Sequence, residues 1–264
     1  MSSLLDELVR LLDLEEIETN IFRGLSPPED RERAFGGQVA AQSVVAAMRT
    51  VPEDRVLHSL HSYFLRPGDV NIPIVYFVDR IRDGRSFTTR RVVAIQRGEA
   101  IFNMSASFQV EERGGAHHMP MPDVPDPETL PTWNERIVTM FGDKVPARVT
   151  RPRAVDIRWC EPEPERPKPG QEASGRIWMR LDGMLPEDPA LHSAALVYAS
   201  DFTLTETVLR PHGVHWMYPG VMTASLDHCV WIHSPVTADD WWLYVQDSPA
   251  SANSRGLARG SIYS

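Results

Sequence analysis

Two stretches of this chain, residues 36–49 (GGQVAAQSVVAAMR) and 190–201 (ALHSAALVYASD), are apolar or small on nearly every side of a helical wheel. A helix of that kind cannot lie on a surface, because it has no polar face to turn to water; other elements must wrap it. Strand-like segments follow each one. After the first come 57–65, 72–82, 86–96 and 100–110, punctuated by turn signals at Asp83-Gly84 and Gly98. The second is preceded by strands at 154–160 and 174–181 and followed by strands at 221–233, 241–247 and 254–264.

The halves read as copies. Ser59-Leu60 leads to Pro67 in one and Ser225-Leu226 to Pro235 in the other, and the return strands carry Ser86 and Arg91, then Ser254 and Arg259. One buried helix against a meander of long strands is the outline of a hot dog, so the sequence predicts an α+β fold of two fused modules, 1–115 and 151–264. The linker at 116–150 is rich in Pro, Gly and polar residues, with a short helix near Trp133–Phe141, and the later EPEPERPKPG stretch reads as an exposed loop. Laid on the first copy, the second reaches Ser264 opposite Gln96. The last strand of the second module, with its counterpart of Gln109, is therefore expected to be missing, leaving a neighbouring strand with an unpaired edge.

Several function classes are disfavoured. A net charge of -9 argues against a nucleic-acid surface. No segment approaches the roughly 20 apolar residues of a membrane span. Cys160 and Cys229 show neither a disulfide framework nor metal-ligand spacing, the first 20 residues lack a secretory pattern, and SIYS is not a peroxisomal signal, so the expected location is the cytoplasm, with no metal and no cofactor.

The candidate residues each admit two readings. Asp201 ends an apolar helix, where the helix terminus is already negative; it is either a desolvated general base or a carboxylate capping loop amides. Ser225 lacks a G-x-S-x-G elbow, which disfavours a nucleophilic serine, and it either supports a base or pairs within a strand. Asp227 and His228 are neighbours on a strand and point to opposite faces, so they read as supporting residues rather than a dyad. Gly36 and Gly37 either bring backbone N–H groups to an anion or a thioester oxygen, or let the helix pack closely. Arg90, Arg91, Arg255 and Arg259 either meet substrate phosphates or line a solvated face.

The strings FGGQVAAQ (35–42), HSLHSYFLRPGD (58–69), DGRSFTTRRVVAIQ (83–96), SASFQ (105–109), YASD (198–201), PHG (211–213), ASLDH (224–228) and SANSRGLARG (251–260) resemble the acyl-CoA thioesterase II family. That resemblance implies a double hot-dog and hydrolysis of fatty acyl-CoA to fatty acid and coenzyme A. It also implies a water-activating site of Asp, a hydroxyl residue and Gln. The Asp falls on Asp201 and the hydroxyl on Ser225, where many members have Thr, while the Gln belongs to the strand expected to be missing. The resemblance further implies an acyl-CoA partner and a homo-oligomer. Two alternatives remain open at this stage: an acyl-CoA-binding protein without catalysis, and a hot-dog hydratase or dehydratase.

Overall fold

The computed structural model describes residues 3–27, 33–142, 145–147, 149–161 and 168–264; most of the Pro-rich loop predicted above lies outside them. The elements, in order, are α1 (Ser3–Leu12), β1 (Glu15–Glu18), β2 (Ile21–Gly24), α2 (Gly36–Met48), β3 (Arg55–Phe64), β4 (Ile74–Asp83), β5 (Phe87–Gln96) and β6 (Glu99–Val110). A 3-10 turn (Pro127–Thr129) leads to α3 (Trp133–Phe141), β7 (Val155–Trp159), β8 (Ser174–Leu181), α4 (Pro189–Ser200), α5 (Leu204–Leu209), β9 (Asp227–Trp231), β10 (Trp242–Ala252) and β11 (Arg255–Tyr263). Among the described residues no helix is long and apolar enough to cross a membrane.

The chain forms two compact units that do not follow chain order. The first combines Met1–His117 with two later segments, Leu185–Asp201 and Ser225–Thr237. Its antiparallel sheet has the order β1-β2-β4-β5-β6-β3-β9. Against it lies α2, whose Val39, Ala40, Ala41, Val44, Ala46 and Ala47 are all buried, as a helix without a polar face requires. Packed beside α2 is α4, the apolar helix of the second half. Polar residues inside α2 are satisfied locally: Gln42 Nε2 donates to the Leu11 and Leu25 carbonyls, and its Oε1 accepts from Tyr76 Oη at 2.6 Å. These bonds tie α1 and the end of β2 to the central helix.

The second unit comprises His118–Met184, Phe202–Ala224 and Ala238–Ser264. Its sheet has the order β11-β10-β8-β7, with α5 against β10 and β11 and α3 against β7. A capping box starts α3, in which Thr132 Oγ1 accepts from the Glu135 N–H while the Glu135 carboxylate accepts from the Thr132 N–H. The repeat is visible in the hairpins. β5 turns into β6 through Arg97-Gly98 and β10 into β11 through Asn253-Ser254, all four at positive φ, the twist that a two-residue hairpin needs. A cross-strand ion pair recurs as well: Asp79 faces Arg91 across β4 and β5, and Asp247 faces Arg259 across β10 and β11. Among the described residues, β11 is the outer strand of its sheet.

One strand differs from expectation. The segment predicted at 221–233 contracts to Asp227–Trp231, and before it the Leu226 carbonyl accepts the Phe64 N–H at 2.9 Å. Ser225 therefore precedes the strand instead of lying within it.

Candidate active site

The first unit brings together the end of α4, the start of α2 and the segment before β9, and the site begins with α4. Asp188 caps its start, accepting the Ala190 N–H at 2.9 Å, and Pro189 occupies the first turn, where a missing N–H costs nothing. The other end is Asp201, the C-cap residue, at φ -87° and ψ 0°. A carboxylate here meets the negative end of its own helix. Compensation comes from the beginning of α2. Phe35 at the N-cap is extended and offers no side-chain hydrogen bond, and the Gly37 N–H donates to the Asp201 carboxylate. The positive end of one helix thus faces the anion that the other cannot stabilise.

Two glycines make this approach feasible. A Cβ on Gly36 would lie 2.8 Å from Asp201 Oδ2 and 2.9 Å from Phe64 Cε1. On Gly37 it would lie 2.5 Å from the Tyr198 carbonyl oxygen. Gly36 leaves room for the carboxylate, while Gly37 lets α2 close on the backbone of α4. At Gly37 the close-packing reading fits, and its N–H is taken by an anion that belongs to the protein itself.

Ser225 completes the group. The Leu226–Phe64 backbone bond anchors this segment at the end of β3, and Ser225 Oγ donates to Asp201 Oδ1 at 3.1 Å. A small part of Asp201 stays open to solvent. Burial pushes its pKa above the ordinary carboxylate value, against the opposing pull of His228, Ser225 and the Gly37 N–H. Asp227 and His228 do point to opposite faces, the first exposed and the second buried. The spacing gave no sign of where His228 goes: its Nε2 lies 2.9 Å from Ser200 Oγ, next in sequence to Asp201. Burial lowers the His228 pKa, while Asp201 and Asp227 pull it upward.

The arginines separate into kinds. Arg90 is fully buried and directs Nε, Nη1 and Nη2 to Thr50 Oγ1, the Arg82 and Thr89 carbonyls, the Thr50 carbonyl and Asp83 Oδ1. All five of its N–H donors are used, so the suggestion that it meets a substrate phosphate is overturned. Arg91 and Arg259 are exposed and held by Asp79 and Asp247, and Arg255 is exposed at the start of β11.

The family models and the curated relatives point to one family. The family described as acyl-CoA thioesterase matches residues 151–264, and its N-terminal domain matches residues 26–109. Acyl-CoA thioesterase 2 of Haemophilus influenzae is 37% identical, over 100% of this chain and 93% of its own. The human acyl-coenzyme A thioesterase 8 is 36% identical, over 96% of this chain and 82% of its own. Among solved structures, an acyl-CoA thioesterase II of Mycobacterium marinum superposes with a TM-score of 0.79 at 40% identity, covering 97% of this chain and 90% of that one. A hot-dog protein from Alicyclobacillus acidocaldarius has a TM-score of 0.78 at 22% identity, covering 97% and 91%, and supports the fold. By fold and by sequence along its whole length, the chain belongs to the acyl-CoA thioesterase family, hot-dog thioester hydrolases.

Proposed function

We propose that the protein hydrolyses acyl-CoA thioesters with Asp201 as the general base. The observation that carries this reading is a partly desolvated carboxylate held from two sides, by Ser225 Oγ and by the Gly37 N–H at the start of α2. Desolvation strengthens a carboxylate as a base, and the two hydrogen bonds fix which lone pairs remain for water. Asp201 takes a proton from water as the water oxygen adds to the thioester carbonyl. Ser225 donates to the carboxylate, and its oxygen lone pairs remain able to accept from that water. The Gly36 N–H, at the positive end of α2, is assigned to the developing oxyanion. The tetrahedral intermediate collapses by breaking its C–S bond, and the coenzyme A thiolate takes up the proton held by Asp201. The Gln of the family site is not among the described residues that bond to Asp201, so the pair Asp201–Ser225 carries the reading.

For coenzyme A phosphates, the exposed arginines Arg91, Arg255 and Arg259 are the assigned contacts. Arg255 comes first among them, because Arg91 and Arg259 must first release a carboxylate.

The test is release of free thiol from a series of acyl-CoA chain lengths by the parent and by Asp201→Asn. The expected loss in kcat is about a thousandfold, the scale of a general base. In the parent, the acid limb of kcat falls at a pH above the ordinary Asp range, because burial raises this pKa and the base must be ionised. Thiol release unchanged in Asp201→Asn overturns the assignment. Saturable acyl-CoA binding without release by the parent would identify a binding protein instead.

A further inference from the structure

Asp201 is the C-cap of α4, one residue past the last helical residue Ser200, so no further turn of α4 fixes its direction. Besides Ser225 and the Gly37 N–H, which hold the carboxylate itself, what fixes its place is the last turn of α4 and whatever grips that turn. Ser200, the preceding residue, is 2% exposed, and its Oγ donates to the Val197 carbonyl at 3.0 Å. With the hydroxyl proton so directed, the oxygen is the acceptor in its 2.9 Å contact with His228 Nε2. In that arrangement His228 carries its proton on Nε2.

His228 is itself held in place. It lies in β9 opposite Ser62 of β3, and Ser62 Oγ donates to the His228 carbonyl at 2.7 Å. The residue is 6% exposed. The line Ser62–His228–Ser200 thus runs from the sheet to the residue before Asp201. All of its members are buried, so water does not compete for these bonds.

From this geometry we infer that His228 is a positioning residue for the hydrolytic step: through its Nε2–H bond to Ser200 it anchors the end of α4 and fixes the direction of the Asp201 carboxylate. This rests on Asp201 being the base. A supporting group of this kind is needed because a base misplaced by about 1 Å can lose about a hundredfold in rate. The charged groups that face His228 are Asp201, at the end of α4, and Asp227, on its own strand; Ser62 and Ser200 are neutral. Removing the imidazole therefore has two separable consequences. It removes a hydrogen-bond donor, and it removes a titrating neighbour of Asp201.

Two variants separate them. His228→Phe keeps ring and burial but has no donor, and His228→Gln keeps an amide N–H able to reach Ser200 Oγ without titrating. Full pH–rate profiles are recorded on both, on the parent and on Asp201→Asn. For His228→Phe the expected plateau kcat falls roughly ten- to hundredfold with KM within about twofold, and for His228→Gln it recovers to within about threefold of the parent. In both, the acid limb moves to higher pH, since His228 no longer pulls the Asp201 pKa down. A parental plateau in His228→Phe, beside an inactive Asp201→Asn, overturns this inference and leaves the base assignment standing. Equal plateau losses in the Phe and Gln variants overturn it as well, by making the role electrostatic. Thiol release retained by Asp201→Asn overturns the base assignment and this inference with it.

Discussion

The two central helices of the first unit lie side by side, and their C-terminal ends are finished in opposite ways. Past the end of α2, Thr50 offers its hydroxyl and its carbonyl to the buried guanidinium of Arg90, a cation placed where the helix end is negative. At the end of α4 an anion takes that place and is stabilised by a neighbouring helix start, a serine and a histidine. The first arrangement is electrostatically favourable in every contact, and nothing in it is left to react. The second begins from an unfavourable charge and offsets it from outside the helix. A group that its own helix disfavours is not explained by stability, and this is the contrast on which the proposed role of Asp201 as base rests.

The comparison breaks most sharply at Arg90. Arg90→Met fills much of the volume but removes the donors to the Thr50 hydroxyl and the Thr50 carbonyl, both buried contacts. The expected loss is about 3 kcal/mol of folding stability, read by urea denaturation, with kcat in the surviving folded fraction near the parental value. A loss below about 1 kcal/mol would mean that the closed end of α2 is not the structural fastening described here.

Next in size is Gly36→Ala, which acts on the open end. The new methyl would displace Asp201 Oδ2 and the Phe64 ring, both of them movable side-chain atoms, so the fold tolerates it and the carboxylate shifts. Thiol release should fall about tenfold or more with a melting temperature close to the parent's, because Ala suits a helix better than Gly does. Parental activity in Gly36→Ala would show that close contact between α2 and Asp201 is not required. Gly37 makes a poor substitute for this test, since a methyl there meets backbone, the Tyr198 carbonyl.

Much of the contrast was legible in the sequence, and the illegible part has a definite cause. Helices α2 and α4 were marked by runs with no polar face, and the long strands β3 to β6 fall within two residues of the stretches read from alternation. The recurrent Ser and Arg of the return strands led to the repeat, and the Asp79–Arg91 and Asp247–Arg259 pairs repeat it in three dimensions. Short elements were missed: β1, β2 and α5 are too brief to show a period. Within the site, family strings singled out Asp201 and Ser225, and position raised the question of how the Asp201 charge is offset. The answer, Gly37, lies on the other helix, and helix–helix packing leaves no spacing signal. The use of Arg90 was hidden for the same reason, since its partners come from the end of α2, from β4 and from β5.

The smallest expected effect sharpens the contrast from the side of stability. Asp201→Asn keeps one side-chain oxygen as an acceptor, the Ser225 hydroxyl can turn to accept from the new amide N–H, and a charge that burial penalises is removed. The folded-state pKa of Asp201 lies above its unfolded value, so the penalty applies to the ionised group. It is fully present once pH exceeds the raised value, and it vanishes as pH falls below the unfolded one. Asn should therefore raise the melting temperature slightly at pH 8, and the gain should shrink as the pH is lowered toward the ordinary Asp range. With the proposed base lost as well, the variant should be more stable and inert, which is the relation expected of a residue kept for its reaction. A melting temperature that drops at pH 8 would instead place the Asp201 charge in the same class as that of Arg90, as part of what holds the helices together, and the distinction between the two helix ends would fail.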